Sequence, residues 1–228
     1  MQWLHGYHLG FPPVTGAPAD APLAAGGDLR PERLLHAYSL GIFPWYSAPP
    51  ILWWSPDPRM VVSPRALRIN RSLARSLRRA AWTLSFDRAF SEVISHCAAP
   101  RRTQQGTWLS PDMIAAYEEL HRLGFAHSVE CWQEGTLAGG LYGLSLGGAF
   151  FGESMFSLVP DASKIAFVHL ARTLETWNFP LIDCQVSSAH MESLGGVALP
   201  RATFLAQLHD ALGAPTRRGS WQEITVTQ

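Results

Sequence analysis

Apolar residues recur along this chain in two rhythms, and the switch between them predicts most of its elements. In Arg71 to Ala80, Leu73 and Leu77 fall at i,i+4 while Arg71, Arg75 and Arg78 fall at i,i+4,i+7, the pattern of a helix with leucines inward and arginines outward. Asp87 to Cys97 predicts a second helix. A third starts behind the capping residue Ser110, with Pro111 and Asp112 in its first turn, and stops at Gly124. From Ala126 the period shortens. Strands are predicted at Ala126 to Trp132, Leu137 to Ser145 and Ala149 to Phe156, with turns at Gln133 to Gly135 and Gly147-Gly148, an antiparallel meander. A helix over Ala162 to Trp177, a short apolar strand over Pro180 to Val186 and a helix over Arg201 to Leu212 complete an α+β order of layers.

The first sixty residues read differently, being rich in Pro, Gly and Trp, with one clear helix from Pro31 to Leu40 that begins on proline and ends before Gly41. The change of texture divides the chain into a small N-terminal domain, residues 1–59, and a larger one, residues 60–228.

At 228 residues and 47% hydrophobic, the chain can bury a sizeable core, which excludes a disordered protein. Cys97, Cys131 and Cys184 are odd in number and widely spaced, so a reducing compartment and a metal-free protein are expected. The sequence opens on neither a signal peptide nor a lipid anchor pattern, and its longest uncharged stretch is broken by glycines; the expectation is a cytoplasmic protein, monomeric and without membrane contact. Formal net charge is zero, yet six arginines between Arg65 and Arg79 stand without an acid among them, so one face can still meet phosphate.

Candidate chemistry sits at polar exceptions in apolar strands. Asp183 and Gln185 are two apart in one, which places them on the same face, with Cys184 opposite as a buried thiol. A hydrogen-bonded pair tying strand to neighbour is as good a reading as catalysis. Glu153 ends another apolar strand, where a carboxylate needs solvent or a cation. Trp45 and Trp108 lie in loops with glycine nearby and could offer a ring to a base, whereas Trp53 and Trp54 read as packing. Nucleotide, dinucleotide and serine-hydrolase signatures are missing from the sequence.

Eight segments nevertheless occur in a telling order: GGDLRPERLLHAYSLGIFPWYS (Gly26 to Ser47), ILWWSPDPRM (Ile51 to Met60), GTWLS (Gly106 to Ser110), FAHSVE (Phe125 to Glu130), GGLYG (Gly139 to Gly143), FGESMFS (Phe151 to Ser157), ASK (Ala162 to Lys164) and LIDCQ (Leu181 to Gln185). Over residues 25 to 205 the chain resembles the leucyl/phenylalanyl-tRNA–protein transferases. The resemblance implies a C-terminal domain like the GCN5-related acetyltransferases beside a small N-terminal one. It implies transfer of Leu or Phe, with Met a further candidate, from Leu-tRNA or Phe-tRNA and their like to proteins beginning with Arg or Lys, which marks them for degradation, with no cofactor. Asp183 would polarise Gln185, Gln185 would draw the proton from the incoming amine, and Glu153 would share the site; binding of the acceptor by these groups stays open. Leu141, Phe150, Phe167, Leu170, Leu174 and Ile182 would wall the donor side-chain pocket, where Leu141 stands for a usual Met and Leu170 for a usual Phe. Trp45, Trp108, Tyr38 and Tyr117 would surround the terminal adenosine, and Arg71, Arg75 and Arg78 would meet tRNA phosphates. The rival readings are an acetyl-CoA-dependent acetyltransferase, disfavoured because Ser157 to Lys164 has no glycine, and a non-catalytic binder of charged tRNA.

Overall fold

Short strands before residue 60 and long ones after residue 126 sort into two separate sheets in the computed structural model, which describes residues 1–6, 8–79, 82–99 and 109–222. The smaller sheet holds β1 (Gln2–Leu4), β2 (Ala24–Gly26), β3 (Phe43–Pro44) and β4 (Leu52–Trp54) in the order β1-β2-β4-β3, with α1 (Pro31–Ser39) between β2 and β3. None of these strands was legible in the sequence, because two or three residues are too few to display a period of two. After α1 the chain turns at Gly41, whose φ of +71° suits glycine and whose missing Cβ leaves room for Leu205 and Phe204 at 2.8 and 2.9 Å.

The larger sheet begins with β5 (Arg59–Val62). Next come α2 (Arg71–Arg79), β6 (Trp82–Phe86), α3 (Phe90–Ala98) and α4 (Pro111–Arg122). The meander is β7 (Ala126–Gln133), β8 (Thr136–Leu146) and β9 (Ala149–Ser157); α5 (Ala162–Thr176), β10 (Leu181–Gln185), α6 (Ala189–Ser193), β11 (Val197–Leu199) and α7 (Arg201–Leu212) follow. Strand order is β11-β5-β10-β9-β8-β7-β6, antiparallel throughout except for the parallel pair β9 and β10. Thus β5 lies between two strands that enter the chain more than a hundred residues after it.

Local chemistry accounts for the helices. The Ser110 side chain accepts from the Met113 N–H at 3.2 Å and caps α4, as its sequence position predicts, while Asn70 does the same for α2 through Leu73 at 2.8 Å. The helix expected from Asp87 starts three residues later. Asp87 instead takes φ +54° and turns its carboxylate onto the Ser128 N–H and the His127 ring.

Helix α5 covers one face of the large sheet, and α3 with α4 the other. The expected domain limit at 59/60 falls one residue inside β5; the change of sheet itself lies between Trp54 and Arg59. One core cluster runs from Leu34, Tyr38 and Trp53 through Phe90, Tyr117 and Phe151 to Phe204, so both sheets share an interior. Among the described residues, no helix is long and apolar enough to cross a membrane.

Candidate active site

Parallel strands β9 and β10 pair from Ala149 with Leu181 to Phe151 with Asp183, and there the ladder ends. Two residues further along each strand stand Glu153 and Gln185. Each strand also carries an irregularity at this place. Tyr142 pairs with Ser154 and Gly143 with Gly152, which leaves Glu153 as the extra residue against β8; Asp183 pairs with Val61 and Gln185 with Met60, which leaves Cys184 extra against β5. Gln185 takes φ +63°. Such bulges re-aim side chains, and here the Gln185 side-chain amide donates to Glu153 Oε1 at 2.8 Å across the parted strands.

The bulge corrects the expectation that Asp183 and Gln185 share a face with Cys184 opposite, since an extra residue cancels the period of two beyond it. Asp183 is fully buried. Its carboxylate receives Arg59 Nε at 2.8 Å and Nη2 at 2.6 Å, plus the main-chain N–H of Gln185 at 2.9 Å. Arg59 is equally buried, donates Nη1 to Gly41 O at 3.1 Å, and lies between the rings of Phe43 and Phe204 at 4.7 and 4.6 Å. Asp183 therefore acts on the Gln185 backbone and leaves its side-chain amide alone. Cys184, expected in the core, is half-buried and lines the cavity; burial first, then the charge of Asp183, pushes its thiol well above the usual range, so it remains a poor nucleophile.

Among the described residues, no cation pairs with Glu153. Tyr38 Oη lies 2.7 Å from Oε1, Tyr117 Oη 2.9 Å from Oε2, and the two hydroxyls are 2.5 Å from each other. With the carboxylate ionised, both hydroxyls donate to it and no proton separates their oxygens. A proton on Glu153 closes the ring in one direction, from Glu153 to Tyr117 to Tyr38 and back, with every contact satisfied. Burial, partly offset by the three hydrogen bonds and reinforced by Asp183, raises Glu153 to about 7. Burial and the same carboxylate hold Tyr38 and Tyr117 well above the ordinary phenol range, so both keep their protons.

A cavity of about 1100 Å³ opens at Glu153. Leu141 from β8, Phe150 from β9, Phe167 and Leu170 from α5 and Ile182 from β10 line it, together with Glu153. Leu174, expected among them, does not; it is fully buried in the cluster behind the wall, one helical turn beyond Leu170. Met155 and Met191 also line the cavity, unheralded in the sequence: Met155 lies just past the bulge in β9, which a lone strand does not reveal, and five-residue α6 is too short to show a face for Met191. A recess of about 160 Å³ adjoins Glu153 and Gln185, walled by Phe43, Pro44, Trp45, Cys184 and Val186.

Trp45 lines both spaces and is 40% exposed, a ring available for stacking. Trp108 lies outside the described residues. Tyr38 and Tyr117, expected beside an adenosine, are fully buried, so neither offers a face to a base and both spend their hydroxyls on Glu153. Arg71, Arg75 and Arg78 are exposed along α2, whose Leu73 points inward and whose Ser76 donates to Asp161 at the start of α5 at 2.7 Å. Arg59 is the functional neighbour that sequence reasoning overlooked. Its signal was present: an arginine opening the apolar run Arg59–Val62 and an aspartate inside the apolar run Leu181–Gln185 each need a buried partner of opposite charge. Among the described residues, no group of three or more His, Cys, Asp or Glu is placed to hold a metal ion.

Two family models match the chain: the leucyl/phenylalanyl-tRNA protein transferase over residues 61–209, and the N-terminal domain of the same family over residues 27–57. A leucyl/phenylalanyl-tRNA–protein transferase from Anaeromyxobacter sp. (strain Fw109-5) is 56% identical over 215 residues, covering 93% of this chain and 92% of that protein. The protein of the same name from Nitrosospira multiformis is 54% identical over 224 residues, covering 97% and 96%. Among solved structures, L-PGS from Bacillus licheniformis aligns with 73% of this chain and 54% of its own at 12% identity and a TM-score of 0.41, too slight a likeness to argue from. Matched across most of its length by the family model and across nine-tenths by relatives more than half identical, the chain belongs to the leucyl/phenylalanyl-tRNA–protein transferase family.

Proposed function

We propose that the chain transfers Leu or Phe from aminoacyl-tRNA to the α-amine of proteins beginning with Arg or Lys, creating a degradation signal, with the ester held at Glu153 and Gln185. One observation carries this assignment of the site: Glu153, which receives the Gln185 amide, lines a cavity that also holds the apolar side chains of Leu141, Phe150, Phe167, Leu170 and Ile182. An aminoacyl ester brings its own activation, so the chemistry needed is positioning and proton transfer. The amine nitrogen bonds to the ester carbon, the bond to the ribose oxygen breaks, one amine proton leaves, and the ribose oxygen gains one. A protonated Glu153 can give its proton to the departing oxygen and recover one from the amine, with Tyr38 and Tyr117 keeping its place in the ring. Gln185 orients the carboxyl. Asp183, turned to Arg59, fixes the backbone that carries Gln185.

The donor side chain fits among Leu141, Phe150, Phe167, Leu170 and Ile182, with Leu174 as support behind. Trp45 is available to the terminal adenosine, and Arg71, Arg75 and Arg78 to acceptor-stem phosphates. A GCN5-related arrangement of the large sheet is supported by the parting of parallel β9 and β10 at the site. Against coenzyme A as donor, the link into α5 has no glycine, and its first helical N–H groups are partly taken: Ser163 N donates to Ser157 Oγ at 2.9 Å.

Incubation with labelled Phe-tRNA and an Arg-initiated peptide tests the reading, with Phe-extended peptide as the expected product. RNA binding without product would favour a carrier of charged tRNA, and strong thermal stabilisation by acetyl-CoA would favour the acetyltransferase.

A further inference from the structure

The chain continues past the last residue that the family models match, and its tail returns to the back of the cavity. Thr216 Oγ1 accepts the Gly147 N–H at 2.9 Å, Arg218 donates to Leu123 O at 3.2 Å, and Gly219 N donates to Gly124 O at 3.1 Å. At Gly124, a Cβ would lie 2.4 Å from Gly219 N, so only glycine lets the tail pass this close. The tail ends this course on Asp87, whose carboxylate takes the Trp221 N–H at 2.7 Å and whose carbonyl takes the Gln222 side chain at 2.6 Å. A segment tied at five places is part of the fold.

These ties deliver one large ring. Trp221 is 3% exposed, stacks on His127 at 3.7 Å, and meets the edges of Trp177 at 4.9 Å and Phe86 at 5.8 Å. Its fourth ring neighbour is Phe150 at 6.2 Å. Phe150 is itself a cavity wall, and Trp221 belongs to the same core cluster as Leu141, Phe167, Leu170 and Ile182, which line the same cavity. A close-packed wall keeps its shape only while the layer behind it is filled, and a void there lets it retreat.

We propose that Trp221 is a positioning residue that sets the size of the donor side chain by backing Phe150. The inference rests on the reading of the cavity as the donor pocket. Donor selection by the wall then depends on a residue of the tail that touches no substrate.

The test compares kcat/KM for Phe-tRNA and Leu-tRNA with a common Arg-initiated peptide, in the full chain carrying W221A, the milder W221L, W221F, or the wall substitution L170A. The expected result is a rise of about tenfold in the Phe-to-Leu ratio for W221A, a smaller rise for W221L and a ratio close to the parent for W221F, since a pocket discriminates a few methylenes by that order. If W221A does not fold, W221L gives the same reading. Equal loss with both donors and an unchanged ratio, alongside a shifted ratio in L170A, would overturn the role of Trp221 and leave the pocket standing. An unchanged ratio in L170A as well would overturn the pocket and this inference with it.

Discussion

Asp183 and Glu153 stand on adjacent strands, two residues apart in register, yet they are held in opposite ways. Asp183 faces a guanidinium that meets it through two nitrogens and is itself clamped between phenyl rings, with no solvent on either partner. Glu153 faces two phenol hydroxyls and an amide, all neutral, in the lining of a cavity. A buried carboxylate beside a full positive charge is fixed in place, whereas one surrounded by neutral donors holds a proton that can move. On the proposed reading, this contrast makes Asp183 the positioning group and Glu153 the one that moves a proton.

The largest effect expected from breaking this contrast is at Arg59. R59A leaves the Asp183 carboxylate buried without its cation and should cost roughly 3–5 kcal/mol in urea unfolding, with loss of transfer. Stability near that of the parent would mean that Asp183 finds another partner. Next is E153Q, which keeps the hydrogen-bonding shape of a protonated carboxyl but cannot pass a proton. Single-turnover transfer should fall about 100-fold or more while the fold persists, and retention of the rate would return Glu153 to a purely positional role.

Changing pH probes the two carboxylates in a third way. Glu153 is raised from 4.5 to about 7, so between those values the folded protein binds a proton that the unfolded chain lacks. Its contribution is therefore complete below about 4.5 and is lost as pH rises towards 7. The stability difference between the parent and E153Q should shrink over that window, as followed by unfolding at a series of pH values; a constant difference would contradict the proton on Glu153. The smallest effect is expected for Y117F. It removes one hydrogen bond to the carboxylate form, so the Glu153 transition should move upward in pH, with a stability cost of about 1 kcal/mol.

Legibility in the sequence followed element length. The long members, α4, α5, α7 and β7 to β9, carry enough turns or alternations to reveal their period, and Ser110, Pro111 and Gly124 mark the ends of α4. β1 to β4 and β11 do not, since two or three residues pair only because distant segments bring them together. In the site, Asp183, Gln185 and Glu153 stood out as polar residues in apolar strands. Their orientations did not. Those are set by the two bulges, and a bulge is visible only against the partner strand. The same limit hid the work of Tyr38 and Tyr117, 79 residues apart in sequence and in contact in space.

The place of β5 between β10 and β11 has a consequence for the newborn chain. Arg59 leaves the ribosome 124 residues ahead of Asp183, and the strands on both sides of β5 are among the last to emerge. At about 5–20 residues per second, a translating ribosome leaves that arginine and its strand edges unclosed for roughly 6 to 25 seconds. Nascent chains of this protein therefore present an unfinished sheet until translation is nearly over.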